Sequence, residues 1–195
     1  MSAKYKVAII GTGRMGGLIE DEIAVGSSSK PYGHFPAYAY IDDTEVVAVA
    51  NRGEERLERF SKRFGITNTY LDYREMILKE QPDIVSITTP SLRRANPIIF
   101  CAENGVKAIY AEGLSASLAE ADAIAEAVRR NKVALRGTSR RYSHAYRKLH
   151  RRDRPGRAIG EPRVAVMSFA TDLIKHLAHD RPGTDDARRP GARLG

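Results

Sequence analysis

Residues 6–17 read KVAIIGTGRMGG, and this stretch decides the fold. From Val7 the run VAIIG contains no polar residue, which predicts a short strand buried on both faces. Gly11, Gly13 and Gly16 follow at G-x-G-x-x-G spacing, and residues 18–25, LIEDEIAV, have apolar positions suited to a helix. In a strand–turn–helix each glycine has its own task. Gly11 permits the tight turn, Gly13 lets a diphosphate approach the backbone, and Gly16 allows close packing of helix on strand. The helix start offers unpaired N–H groups and the positive end of its dipole to phosphate. A glycine-rich turn with no ligand is the alternative. The position between strand and helix favours a dinucleotide site built from Gly11, Thr12, Gly13, Arg14, Met15 and Gly16.

The 195 residues suffice for one core and the start of a second domain. The apolar runs are too short for a transmembrane helix, and the one behind Lys4 and Lys6 is too short for a signal peptide. Cys101 is the single cysteine, so no internal disulfide forms, and a reducing cytoplasm is the expected location. Five scattered histidines and one cysteine offer no metal cluster. The net charge of +8 is uneven: residues 1–135 carry −1 and residues 136–195 carry +9. Tyr142 and Tyr146 interleave with the basic residues of the last third, a pattern that can stack on nucleic-acid bases. No reader motif accompanies them, so nucleic acid and membrane are both excluded as expected partners.

Residues 26–43 start as a Gly/Ser/Pro-rich stretch and read as a long loop carrying Tyr32, Phe35, Tyr38 and Tyr40. Residues 45–50, EVVAVA, form the second expected strand. Asn51 and Arg52 then stand where a dinucleotide fold commonly places a ribose-binding carboxylate. Neither is acidic, and Arg52 could pair with the 2′-phosphate of NADP, so NADP is favoured over NAD. The 35 residues from Gly16 to Asn51 exceed the usual spacing of roughly 20, which the loop explains. Leu57, Phe60 and Phe64 predict a helix over 54–64 that Gly65 stops. A short third strand is expected to end at 70–71, with further strands at 83–88, 106–110 and 132–135 and helices at 73–79, 98–103 and 118–130. Thr88, Thr89 and Pro90 close the fourth strand and face the ligand crevice of an open α/β sheet. The alternation specifies an α/β fold, a doubly wound parallel sheet of Rossmann type, over residues 1–137.

The order of these motifs resembles the glucose–fructose oxidoreductase / inositol dehydrogenase (Gfo/Idh/MocA) family. The matching pieces are VAIIGTGRMG, VVAVANRGEERLERFSKRFG, LDYREMILKEQPDIVSITTP, CAENGVKAIYAEGLSASLAEADAI and GTSRRYSHAYRKL. The resemblance implies an NAD(P)-dependent oxidoreductase acting on a sugar, cyclitol or related polyol. It also implies a C-terminal α/β substrate domain, whose surface often forms a homo-oligomer interface. Here that domain would be an incomplete start over 138–180, followed by a disordered tail over 181–195. The chain therefore reads as a C-terminally truncated or frame-shifted member.

Two site features of the family are altered. Its Glu-Lys-Pro motif, whose lysine polarises the reacting hydroxyl, reads Glu112-Gly113-Leu114. Glu112 remains a candidate for the cofactor site, and Lys175 is a distant substitute for the lysine. A histidine usually follows Thr-Pro, where this chain has Arg93 and Arg94. Asp172 and His176 match the family's Asp-x-x-x-His element, in which the histidine is the general acid/base. The loss of the lysine keeps a second reading open: a catalytically inactive nucleotide-binding relative, or a fragment.

Overall fold

The apolar run after Lys4 forms strand β1 (Tyr5–Ile10), whose last four residues are buried. The computed structural model describes residues 3–22 and 31–137, and these make one compact unit. The remaining strands are β2 (Thr44–Ala50), β3 (Thr69–Tyr70), β4 (Ile84–Ile87), β5 (Ala108–Ala111) and β6 (Ala134–Gly137). All pair in parallel in the order β3-β2-β1-β4-β5-β6. The strand order reverses between β1 and β4, so the carboxyl ends of those two strands flank the ligand crevice of a doubly wound sheet.

Strand residues alternate between two apolar layers, as the pleat requires. Ala8, Ile10, Ala48, Ala50, Val85, Ile87 and Ile109 pack on one face against α3 (Tyr73–Glu80), α4 (Ala95–Glu103) and α5 (Leu118–Arg130). Ile9 and Val49 pack on the other against α2 (Glu54–Phe64), with Phe35 and Tyr38 of α1 (His34–Ala39) beside them.

The helices start and stop for local reasons. Asp72 caps α3 by accepting from the Arg74 N–H at 2.9 Å. Ser117 caps α5 by accepting from the Glu120 N–H at 3.2 Å, while the Glu120 carboxylate accepts from the Ala116 N–H at 2.9 Å. α2 ends at Gly65, which takes the left-handed φ of 70° and donates its N–H to the Ser61 carbonyl.

One expectation is corrected. The helix anticipated at 18–25 is, among the described residues, only a single 3-10 turn at Leu18–Asp21. The helix that packs behind the glycine turn is α1, inside the segment expected to be a loop. The His34 and Phe35 N–H groups donate to the Met15 and Gly16 carbonyls, both at 2.9 Å. A side chain at Gly33 would put its Cβ 2.7 Å from the Gly17 Cα, so the two glycines let α1 seat directly on the turn. The Glu20 carboxylate accepts from the Tyr32 and Gly33 N–H groups, tying the returning chain to the 3-10 turn.

Asp172, His176, Lys175, Tyr142, Tyr146 and the expected segments at 138–180 and 181–195 lie outside the described residues.

Candidate functional site

The turn after β1 is built on backbone contacts that only glycine allows. Gly11 has φ +104°, and a Cβ there would lie 2.6 Å from Thr88 Oγ1. Thr88 uses that hydroxyl to donate to the Gly11 carbonyl at 2.8 Å, and its N–H donates to the Ile10 carbonyl. Thr88 is thus a brace between the ends of β1 and β4. A Cβ at Gly16 would lie 2.4 Å from the Gly11 carbonyl oxygen, so Gly16 serves the closure of the turn itself. Gly13 differs: the nearest atom to its Cβ position is Arg56 Nη1 at 3.6 Å, an ordinary contact.

Thr12, between these glycines, is fully buried, and among the described residues its hydroxyl has no hydrogen-bond partner. Buried hydroxyls are nearly always satisfied, so this one asks for a ligand atom or a water. An orphaned donor beside an unobstructed Gly13 fits the phosphates of a dinucleotide. Met15 contributes its carbonyl to α1, and Arg14 pairs with Glu22 at 2.7 Å.

Asn51 and Arg52 stand at the carboxyl end of β2. The Asn51 amide donates to the Gly53 carbonyl at 3.0 Å, while Arg52 is exposed. Arg56, in the first turn of α2, was not anticipated from sequence, yet it is the side chain nearest to Gly13. Its position one helical turn past Arg52, in NRGEER, is the signal that was available.

Over β4 and β5 the structure gathers groups that the sequence leaves far apart. His34, 8% exposed, reaches Ser86 Oγ through Nδ1 at 2.5 Å and Glu112 Oε1 through Nε2 at 3.4 Å. Its ring meets Tyr110 edge-on at 5.1 Å. The hydrogen bond from His34 holds the Glu112 carboxyl below the ordinary carboxylate range, with the Arg94 and Arg14 charges adding to the effect against partial burial. Burial pushes the Tyr38 hydroxyl up, with its Ser86 contact opposing. Thr89 gives its carbonyl to Arg94 Nε, and Pro90 precedes the 3-10 turn at Ser91–Arg93.

His34, Ser86 and Arg94 were not among the expected site residues. Ser86 left a trace, being the one polar residue within the buried strand IVSI. Arg94 was marked only as standing with Arg93 where the resembled family usually has a histidine after Thr-Pro, and His34 left no trace, because an isolated histidine has no diagnostic spacing. Among the described residues no group of His, Cys, Asp and Glu could hold a metal ion, and no helix is long and apolar enough to cross a membrane. Cys101, on the buried face of α4, has its thiol pushed up to about 12 by desolvation.

The profile of an oxidoreductase family with an NAD-binding Rossmann fold, GFO_IDH_MocA, matches residues 5–138. D-apiose dehydrogenase of Paraburkholderia graminis is 34% identical over 137 residues, covering 70% of this chain and 36% of that protein. The scyllo-inositol 2-dehydrogenase (NAD(+)) of Bacillus subtilis is 27% identical over 184 residues, covering 90% and 49%. The crystal structure of a putative NADPH-dependent oxidoreductase from Desulfitobacterium hafniense superposes with a TM-score of 0.62 at 26% identity, covering 77% of this chain and 39% of that one. The chain thus spans about a third to a half of the length of the curated relatives it matches.

Proposed function

The chain belongs to the Gfo/Idh/MocA family of oxidoreductases, and from that membership we propose that it binds a nicotinamide dinucleotide for hydride exchange with a sugar, cyclitol or related polyol. The observation that carries the reading is the glycine turn: Gly11 and Gly16 are consumed in shaping it, whereas Gly13 and the orphaned Thr12 hydroxyl are left for a ligand. The Gly13 backbone admits the diphosphate, and the Thr12 hydroxyl donates to it. Arg14 and Met15 complete the turn around that contact. Thr88, Thr89 and Pro90 form the other wall of the crevice, and Glu112 stands at its β5 side.

The cofactor supplies the hydride acceptor or donor. The rest of the chemistry is the movement of the substrate hydroxyl's proton, which the proposal assigns to His176, oriented by Asp172. An imidazole suits that role because its ordinary pKa lies near neutrality. Asn51 and Arg52 occupy the ribose end, where the absence of a carboxylate removes the group that would repel a 2′-phosphate. With Arg56 a helical turn away, this end favours NADP over NAD. The relatives divide on this point, one named for NAD(+) and one for NADPH. Self-association through the second domain is part of the same proposal.

The test is a titration of the whole purified chain with NADPH and NADH, read by cofactor fluorescence and by thermal stability. Native-state binding raises apparent stability by RT ln(1 + [L]/Kd). Stronger stabilisation by NADPH than by NADH is expected. Stabilisation by neither would overturn the reading.

Gly113 favours a second reading, a cofactor-binding member without turnover, since glycine brings no side-chain donor to that position. Cofactor binding with no oxidation of a polyol panel at full occupancy would select it.

A further inference from the structure

Arg94 is 7% exposed, an unusual condition for a guanidinium, and it bridges two strand ends. Its Nε donates to the Thr89 carbonyl, two residues past β4, and its Nη1 donates to the Gly113 carbonyl at 3.3 Å, two residues past β5. Gly113 has φ +84°, and a Cβ built there would lie 3.2 Å from Nη1. The guanidinium therefore lies in contact with the point where a side chain at residue 113 would begin. Its charge and that of the Glu112 carboxylate stabilise each other, while burial works against the cation. An arginine stays protonated even when desolvated, so this is a permanent positive charge fixed by two backbone carbonyls.

In a doubly wound sheet each half binds one mononucleotide of the cofactor. The glycine turn and Asn51–Arg52 belong to the β1–β3 half, so the nicotinamide belongs over β4 and β5, where Arg94 and Glu112 lie. The two redox forms of that ring differ by one charge, the oxidised ring being cationic and the reduced ring neutral. A fixed cation beside it disfavours the oxidised form, and a fixed carboxylate favours it.

We propose that Arg94, held beside Gly113, is the fixed cation that sets the balance between oxidised and reduced cofactor, with Glu112 as its counterweight. The proposal rests on the nicotinamide reading above and assigns Arg94 a field effect with no part in proton transfer. In a partly buried site an added or removed unit charge at several ångströms changes a binding ratio by about tenfold.

The experiment measures Kd for NADP+ and NADPH, and for NAD+ and NADH, on the full chain and three variants. Arg94→Gln is expected to lower the ratio of oxidised to reduced Kd about tenfold, and Glu112→Gln to raise it by a similar factor. Arg94→Lys keeps the charge and is expected to hold the ratio even where both affinities fall together. A merely structural arginine would weaken both redox forms in parallel, and parallel changes in Arg94→Gln and Glu112→Gln would overturn the proposal while leaving cofactor binding intact. Should Arg94→Gln fail to fold, Glu112→Gln decides alone: an unchanged ratio overturns the proposal. Failure of the unaltered chain to bind either form would overturn the cofactor reading, and this inference with it.

Discussion

Gly13 and Gly16 belong to one motif, and neither has a positive φ, so replacing each with alanine isolates steric demand from backbone conformation. In Gly16→Ala the new Cβ would sit 2.4 Å from the Gly11 carbonyl oxygen, 3.2 Å from the Thr12 Cα and 3.3 Å from the Gly11 carbonyl carbon. All three obstacles are backbone of the same tight turn, which Thr88 also braces, so no side chain can swing aside. Overpacking costs about 1–3 kcal/mol, and the rigid surroundings put this case near the upper end. For a unit of this size that corresponds to a fall in Tm of about 10 °C. In Gly13→Ala the near atom among the described residues is the far end of Arg56 at 3.6 Å, and the smaller unfolded-state entropy of alanine offsets any loss. Its stability is expected within about 0.5–1 kcal/mol of the unaltered chain. The methyl group would nevertheless stand where the diphosphate approaches, lowering dinucleotide affinity by about tenfold or more, equivalent to at least ~1.4 kcal/mol. Urea unfolding followed by far-ultraviolet circular dichroism gives the stabilities, and NADPH fluorescence titration gives the affinities. The reasoning would be refuted by equal destabilisation of the two variants, or by Gly13→Ala binding NADPH as tightly as the unaltered chain.

Three further outcomes follow from individual contacts. The Glu112 carboxyl is held below its ordinary value chiefly by His34, so its contribution to stability is complete above the unfolded-state pKa of about 4.3 and is lost as pH falls through the lowered folded value. The stability difference between the unaltered chain and Glu112→Gln should therefore shrink on acidification from pH 6 to below pH 4, and a difference that grew would contradict the assignment. Ser86→Ala removes the partner of a buried His34 nitrogen, and the orphaned group should cost about 1–3 kcal/mol in urea unfolding; a loss below 0.5 kcal/mol, roughly the level of a surface substitution, would mean the contact carries little. Gly65→Ala meets no atom of the described residues within 4 Å, so its cost should be purely conformational at about 1–2 kcal/mol, and Gly65→Asn should be milder; equal losses would point to a hidden clash.

Much of the fold was legible because the βαβ rhythm is written in local patterns. Helices 54–64 and 118–130 match α2 and α5 end to end, since an apolar stripe, a stopping Gly65 and the capping Ser117 are all neighbours in sequence. Strand ends shifted by at most two residues, as at β6, where hydrogen bonding to β5 rather than composition sets the limits. The misplaced first helix has a different cause. LIEDEIAV has helical spacing, but the helix behind the turn is chosen by contact between Gly17 and Gly33, which no local pattern reveals.

The candidate site divides along the same line. Sequence alone determined the glycine turn and the missing carboxylate at Asn51, because each is a matter of residue type in a strand–turn context, and the resemblance to the family marked the absent lysine at Gly113. Tertiary structure decided which glycine is free for a ligand, that Thr12 is buried without a partner among the described residues, and that His34, Ser86, Arg94 and Glu112 converge over β4 and β5. His34 and Glu112 are 78 positions apart and meet because α1 seats on the glycine turn while the parallel sheet brings the end of β5 alongside β4. Periodicity encodes which face of an element is buried. The partner met on that face is set only when crossovers and close glycine contacts fix the elements in space.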